Sequence, residues 1–153
     1  MATLKARLRS ELTASMKARD ALRSSTLRML LTAVTNAEVS GKQARELSDE
    51  DVVGVLATEN KKRREAATAY EEAGRQELAE KEQAEGAIIA EFLPAPLSAD
   101  QIASLVSETI ARLGVADDGM RAMGKVMGAL APQTLGRADG AVVSAEVRRQ
   151  LAG

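Results

Sequence analysis

Two glycines and a lysine near position 125 form the part of the chain whose residue types and spacing could contact an anion. Gly124 and Gly128 are four residues apart, so they share one face of a predicted helix, and Lys125 lies between them. Each glycine costs about 1 kcal/mol relative to alanine inside a helix. Glycines that carry this cost are expected where another backbone must approach the helix closely. That backbone belongs either to a neighbouring helix of the same chain or to an RNA.

The turn that follows carries a second cation. Arg137 comes after Gly136, and Asp139 is predicted to cap the last helix rather than to act as a functional acid. Backbone amides at residues 136–140 lie at the start of that helix, where free amides can bind a phosphate. The sequence therefore predicts a phosphate-contacting site formed by five residues, which are Lys125, Arg137, Gly124, Gly128 and Gly136.

The densest run of cations is a secondary candidate for phosphate contact. It consists of four consecutive residues, Lys61, Lys62, Arg63 and Arg64. Four consecutive helical residues span more than one turn, so they cannot all face one partner. The alternative is a solvated helix surface whose cations pair with Glu59 and Glu65. The sequence leaves both hypotheses open.

Residue types that commonly carry catalysis or bind metals are scarce. The chain has no cysteine and no histidine, which removes thiolate ligands, imidazole ligands and the commonest general base near neutral pH. The G-x-S-x-G and G-x-x-x-x-G-K-[ST] signatures do not occur. The glutamates of one acidic cluster are predicted to form a solvated polar face rather than a metal site; they are Glu77, Glu80, Glu82 and Glu85. We expect no catalytic residue, no metal and no cofactor, and no catalysis by this chain alone.

Composition indicates a globular protein with an uneven charge distribution. Of 153 residues, 45% are hydrophobic and 1% are aromatic, and the net charge is −1. Residues 1–45 contain nine Lys/Arg against three Asp/Glu, residues 46–108 six against fifteen, and residues 109–153 six against four. This balance argues against a protein that coats nucleic acid non-specifically, and we expect no DNA partner. No apolar run approaches the roughly 18 residues that span a bilayer, so we expect a cytoplasmic protein that does not bind membranes.

Helical periodicity recurs along the chain and predicts an all-α fold. The predicted helix caps are Thr3, Asp20, Ser48, Ser98 and, for the helix with the two glycines, Asp117 or Asp118. Pro132 is predicted to close that helix. Prolines at positions 94 and 96 predict a linker at residues 94–97. It separates an N-terminal subdomain of about four helices, residues 1–93, from a three-helix C-terminal subdomain, residues 98–153.

Five phrases in order along the chain carry a resemblance to a known family. They are Arg28-Met29-Leu30; the segment from Tyr70 to Ala79; Phe92-Leu93-Pro94, with Glu82 and Glu85 before it; the segment from Met123 to Gly128; and the segment from Gly136 to Gly140. Together they extend from residue 28 to residue 140 of the 153-residue chain. The sequence resembles the GatB/YqeY family, and in particular its short stand-alone YqeY-like members.

The resemblance implies an all-helical fold and a link to translation. The chain is similar to the C-terminal tail region of the amidotransferase B-subunit, whose enzyme converts Glu-tRNA(Gln) or Asp-tRNA(Asn) to the amide with glutamine as nitrogen donor. There the tail holds the tRNA body while the chemistry occurs in other domains. The resemblance therefore implies a tRNA-binding or amidotransferase-associated module without its own active site, in a family associated with carbon–nitrogen ligase activity.

A protein-interaction module that regulates an amidotransferase or another partner is the alternative. Its docking face would be the acidic middle of the chain, from Asp49 to Glu91. The near absence of aromatic residues argues against base stacking on single strands. An RNA partner should therefore be a folded RNA that is recognised by its backbone and shape.

Overall fold

A computed structural model describes residues 3–153, which form seven α-helices, one short 3-10 helix and, within that range, no strand. The all-α class predicted from the sequence is confirmed. Residues 1 and 2, which belong to the predicted N-terminal subdomain, lie outside the described residues. The chain divides into two compact units, with the boundary between Leu93 and Pro94. In this described part, none of the helices combines the length and the apolar character needed to cross a membrane.

The N-terminal unit contains four helices, most of which begin at a local sequence signal. They are α1 (Leu4–Lys17), α2 (Ala21–Val39), α3 (Asp49–Glu72) and α4 (Gln76–Ala90). Thr3, Asp20 and Ser48 cap the first three helices through side-chain oxygens that accept backbone amides, as predicted. The start of α4 has no side-chain cap. Gly74 ends α3 with φ +72°, a left-handed conformation that glycine adopts without strain.

The core of the N-terminal unit consists of aliphatic side chains around one phenylalanine. Its buried residues are Leu8, Leu27, Leu30, Val34, Leu47, Val52, Leu56, Ile89 and Phe92. The guanidinium of Arg7 lies 4.7 Å from the centroid of the Phe92 ring. Arg23 pairs with Glu91 at 2.8 Å and with Glu11 at 3.2 Å. These contacts hold the end of α4 against α1 and α2.

The C-terminal unit contains three α-helices and the 3-10 helix. They are α5 (Ala99–Leu113), the 3-10 helix (Gly119–Ala122), α6 (Met123–Thr134) and α7 (Gly140–Ala152). Ser98 forms a capping box at the start of α5, and Asp139 caps α7, both as predicted. The separate core of this unit is Ile102, Val106, Ile110, Val115, Ala122, Val126, Leu130, Val143, Val147 and Leu151.

The predicted cap of α6 is wrong. Neither Asp117 nor Asp118 caps this helix, because the 3-10 helix separates both residues from it. Gly119 has φ +60° and turns the chain at that point, and Ala122 is buried in the core. Ala122 takes the cap position of α6 without a side-chain hydrogen bond. The start of α6 is thus fixed by the burial of Ala122 in the core and not by a capping side chain.

A glutamate on α7 holds a network that reaches α5. Glu146 accepts hydrogen bonds from Arg149 and from Gln150, the latter at 3.0 Å. Gln150 also donates to the carbonyl of Ala103 in α5 at 2.9 Å. The Arg149 guanidinium, followed by the Gln150 amide, lowers the pKa of Glu146 from 4.5 to about 2. The folded protein therefore favours the ionised form of this side chain.

Acid should remove the contribution of Glu146 to stability. Because its pKa falls from 4.5 to about 2 on folding, that contribution is complete above about pH 4.5 and is lost as the pH falls toward 2. An NMR titration of the Glu146 carboxyl carbon should give a midpoint near pH 2. The Glu146→Gln variant should lose less stability than the wild type over this pH range, because it has no carboxylate to protonate at this position. A midpoint near the ordinary glutamate value in the folded protein would contradict the Arg149 contact.

Candidate functional site

Gly124 and Gly128 lie on a face of α6 that no other element of the described chain covers. Both residues are exposed, and a Cβ atom added at either position would have no heavy atom from elsewhere in the fold within 4 Å. The opposite side of α6 contributes Val126 and Leu130 to the core. Within residues 3–153, close packing by a neighbouring helix therefore does not explain the two glycines. The hypothesis that remains is approach by the backbone of a partner.

Pro132 removes the usual helical hydrogen bond from one carbonyl of the same helix. The sequence predicts that this proline closes the helix, but it lies inside α6, which continues to Thr134. Proline has no amide hydrogen, so the carbonyl of Gly128, four residues earlier, cannot receive the usual helical hydrogen bond. The helix tolerates this loss because Pro132 stands in its last turn. Gly128 has no side chain that would shield its carbonyl from a donor outside the protein.

Lys125 is the cation nearest to the two glycines in sequence. It is exposed, and it forms no hydrogen bond or ion pair with any residue that the structure describes. Arg121, just before α6, is exposed as well, and its Nε donates to the carbonyl of Asp118 at 3.2 Å. Arg121 was not predicted from the sequence, although its spacing of four residues from Lys125 was a usable signal. Two cations thus lie near the N-terminal end of α6, where the helix dipole is also positive.

Arg137 has a structural role in the C-terminal unit. Its Nε donates to the carbonyl of Ala95 at 3.0 Å, and its own carbonyl accepts a hydrogen bond from the amide of Leu97 at 2.8 Å. These bonds hold the predicted linker within the C-terminal unit. The Arg137 side chain also borders a groove on α5 that contains Asp100 and Glu108. Their carboxylates would repel a phosphate that approached the guanidinium there.

The structure does not bring Lys125 and Arg137 together. Lys125 lies in the first turn of α6, and Arg137 follows the last turn. About 14 Å of helix therefore separates the two positions. Lys125 therefore lies on the glycine-bearing face of α6, and Arg137 lies beyond the other end of that helix.

The turn before α7 uses its own amides. The amide of Arg137 donates to the carbonyl of Thr134 at 2.9 Å, and the amide of Ala141 donates to the carboxylate of Asp139 at 2.9 Å. Gly136 has φ +71°, so this glycine is required by the turn itself. The turn offers fewer free amides to a phosphate than the sequence predicts, and the Asp139 carboxylate adds a negative charge.

The basic run on α3 is paired with glutamates. Lys61 lies 4.0 Å from Glu65, and Lys62 lies 3.2 Å from Glu59. Arg63 turns toward α4 instead of toward solvent. This is the arrangement expected of a solvated, ion-paired helix surface, and it leaves little unpaired charge for a phosphate.

Arg63 forms a half-buried cluster with three glutamates, which we call the Arg63 cluster. Its Nε lies 3.1 Å from a carboxylate oxygen of Glu85 and 3.6 Å from one of Glu82, and its Nη2 lies 3.6 Å from Glu59. The four side chains are between 13% and 19% exposed. Arg63 also donates to the sulfur of Met29 on α2 at 3.2 Å. Glu82 and Glu85 therefore do not belong to the predicted solvated face, because they point into the interface between α3 and α4.

The two helices approach each other closely beside this cluster. A Cβ atom at Gly86 on α4 would lie 3.2 Å from Oδ1 of Asn60 and 3.8 Å from Cβ of Arg63. Arg64, the last residue of the basic run, borders the groove at this contact and has an interaction partner of its own. Across residues 3–153, no three acidic side chains are grouped so that they could hold a metal ion.

The fold and the site define an all-helical protein of two compact units whose α6 presents exposed glycines and a cation. The sequence matches the YqeY-like proteins over residues 5–151, and the chain belongs to that family. It is also 37% identical over 91 residues to an uncharacterized protein of Schizosaccharomyces pombe, a match that covers 60% of this chain and 72% of the relative. The predicted resemblance to YqeY-like proteins is confirmed, while the similarity to the amidotransferase tail stays a prediction.

Replacing Gly128 by alanine should stabilise the protein. The added methyl group would meet no neighbour within 4 Å, so helix propensity decides the outcome and the free energy of unfolding should rise by up to about 1 kcal/mol. Urea denaturation followed by circular dichroism measures the change. Gly86→Ala is the matched control, because its methyl group would lie 3.2 Å from Asn60. A destabilised Gly128→Ala variant would show that the glycine face is packed in the free protein.

Removing Arg63 should destabilise the N-terminal unit strongly. Arg63→Ala would leave Glu82 and Glu85 half-buried without a cation, at a cost of about 3 kcal/mol. Changing both glutamates to glutamine in the same chain should recover much of that loss. Lys61→Ala is the control, because the Lys61–Glu65 pair is exposed and should contribute less than about 1 kcal/mol. Equal effects of the two alanine variants in urea denaturation would contradict the role of the Arg63 cluster.

Proposed function

We propose that this protein is a helical module that binds a folded RNA of the tRNA class and has no active site of its own. The contact surface is the exposed face of α6 that carries Gly124, Lys125 and Gly128. The observation that carries the proposal is the open space at the two glycines, where no neighbouring atom in the described chain lies within 4 Å of an added Cβ. A partner can therefore reach the backbone of α6 directly.

The chemistry of this face suits a ribose–phosphate backbone. Lys125 supplies an unpaired positive charge for a phosphate, and Arg121 lies near the same end of the helix. The carbonyl of Gly128 supplies an acceptor that lacks its usual helical donor, because Pro132 has no amide hydrogen. A ribose 2′-hydroxyl can donate to such an acceptor, and DNA has no equivalent group. The proposal therefore predicts a preference for RNA over DNA.

Family membership supports the choice of RNA class. The chain belongs to the YqeY-like family, and its sequence resembles the amidotransferase tail that holds a tRNA body. On that basis we propose folded tRNA as the ligand, an aminoacyl-tRNA amidotransferase as the associated enzyme, and the cytoplasm as the compartment. Arg137 contributes by fixing the segment before α5 rather than by contacting the RNA.

A protein partner is the second candidate function, and one surface favours it. A shallow apolar groove runs between α5 and α7, and it is lined by Ile102, Ala141 and Val142. Val142 is 52% exposed although it is large and apolar. Such a groove fits a partner side chain better than a phosphate backbone. The predicted acidic face from Asp49 to Glu91 stays a second candidate for this partner, although three of its glutamates point into the Arg63 cluster.

The test is tRNA binding by the full chain across a salt series. Fluorescence anisotropy with folded tRNA and with duplex DNA should show tighter binding to the tRNA. Lys125→Ala should weaken tRNA binding about tenfold. The slope of its affinity against salt concentration should become shallower by the equivalent of about one phosphate contact. Gly128→Leu should weaken binding as well, because its side chain would keep the RNA backbone away from α6. Ala111→Leu, at an exposed position of α5, is the matched control.

Two results would contradict the proposal. Failure of the wild-type protein to bind tRNA at low salt would exclude RNA binding and favour the protein partner. Equal binding to tRNA, duplex DNA and heparin would show only a general attraction to polyanions. If tRNA binds but the α6 variants bind as tightly as the wild type, the RNA contacts lie on another surface.

A further inference from the structure

We propose that the N-terminal unit carries a second phosphate-contacting surface, formed by Lys17, Arg19 and Arg28 where α1 turns into α2. We call it the α1–α2 corner. The inference rests on the proposed RNA binding and adds a surface that the glycine-bearing face of α6 does not include. The three cations belong to the first 45 residues, which contain nine Lys/Arg against three Asp/Glu.

The backbone of Arg19 is the first observation that points to this corner. Arg19 has φ +59° and is the one residue other than glycine with a left-handed backbone in residues 3–153. The equivalent positions after α3, α5 and α6 are Gly74, Gly114 and Gly136, with φ between +67° and +72°. A side chain at such a position strains the backbone, which glycine avoids. Arginine at this one helix end indicates that its side chain is needed for something other than folding.

The surrounding turn holds Arg19 firmly in this conformation. The amide of Arg19 donates to the carbonyl of Met16 at 3.1 Å, and the amide of Asp20 donates to the carbonyl of Ser15 at 3.0 Å. The hydroxyl groups of Ser15 and Ser24 lie 2.9 Å apart and are buried, which locks α1 to α2 at this point. The exposed guanidinium of Arg19 therefore projects from a rigid turn.

The charges at the corner are the second observation. Lys17, Arg19 and Arg28 are exposed, and none of them pairs with a carboxylate in the part of the chain that the structure covers. Nη2 of Arg28 lies 3.0 Å from the sulfur of Met16 in the last turn of α1, so Arg28 reaches across to the end that carries Lys17. The acid nearest in sequence, Asp20, caps α2 by accepting the amide of Arg23 at 3.0 Å.

The composition of the corner favours RNA over other anionic partners. Two guanidinium groups and an ammonium match phosphate oxygens in charge and in hydrogen-bond donors. Met16 is the one large apolar side chain exposed among them, at 45%. A membrane-binding helix or a protein interface would need a larger apolar surface at its centre. The corner therefore suits a folded RNA held through its phosphates.

The test compares two variants that each remove three positive charges. The corner variant is Lys17→Ser/Arg19→Gly/Arg28→Gln, and the control is Lys42→Gln/Lys81→Gln/Arg112→Gln, whose cations are exposed on three other segments. The corner variant should bind folded tRNA at least about tenfold more weakly than the wild type. In a salt series, the slope of its affinity against salt concentration should fall by the equivalent of about two to three phosphate contacts. The control should change the affinity by about twofold or less, because net charge alone acts weakly at a distance.

The single variant Arg19→Gly separates binding from folding. Glycine fits the left-handed position, so its thermal unfolding midpoint should rise by several degrees. Its tRNA affinity should nevertheless fall several-fold. A merely structural arginine would produce the first effect without the second, and that result would overturn the inference.

The remaining outcomes distinguish this surface from the one on α6. If the corner variant binds tRNA like the wild type while Lys125→Ala does not, the corner is excluded and the α6 surface stands. If the corner variant loses binding while Lys125→Ala does not, the corner stands and α6 is excluded. A wild type that does not bind tRNA overturns both. Competition by poly-L-glutamate as strong as competition by tRNA would assign the corner to acidic polypeptides and overturn its assignment to RNA.

Discussion

The contact between α3 and α4 depends on one arginine, Arg63, which forms ion pairs with three half-buried glutamates. α3 has 24 residues, but the fully buried ones are only Val52, Leu56 and Ala67, so apolar burial thins out along its second half. α4 starts without a side-chain cap and buries only two residues fully. Hydrophobic burial alone therefore holds this helix pair weakly at its far end. The Arg63 cluster supplies the missing attraction at the point where Gly86 lets the two backbones approach.

The ion pairs of the N-terminal unit determine which charged side chains remain available to bind a partner. The glutamates of the Arg63 cluster, together with those that pair with Lys61 and Lys62, are engaged within the N-terminal unit. Much of the acidic middle segment thus belongs to the fold. Two groups of exposed cations without a carboxylate partner in the described chain lie elsewhere, at the α1–α2 corner and beside the glycines of α6. A net charge of −1 is therefore a poor guide to what this protein binds, because local charge determines the contact.

The sequence predicts the elements of this fold whose determining interactions are local. The caps of α1, α2, α3, α5 and α7 are hydrogen bonds within a single turn, so residue type and spacing were sufficient to find them. The sequence does not predict a contact whose partner residue is distant in the chain, or the buried face of a helix whose hydrophobic period is ambiguous. Arg137 bonds to a carbonyl 42 residues earlier, and no local pattern encodes that contact. Glu82 and Glu85 were misplaced because a helix with few apolar residues does not show which face is buried.

The two proposed surfaces share one physical property, which argues that both serve a purpose outside folding. Gly128 occupies an exposed helical position where alanine would fit and would stabilise the helix. Arg19 occupies a left-handed position where glycine would fit and would relieve strain. In each case the local backbone preference favours a different residue from the one that the chain carries. Such disagreements are expected at functional positions. At Gly128 the lack of a side chain lets a partner approach the backbone, and at Arg19 the side chain itself would contact the partner.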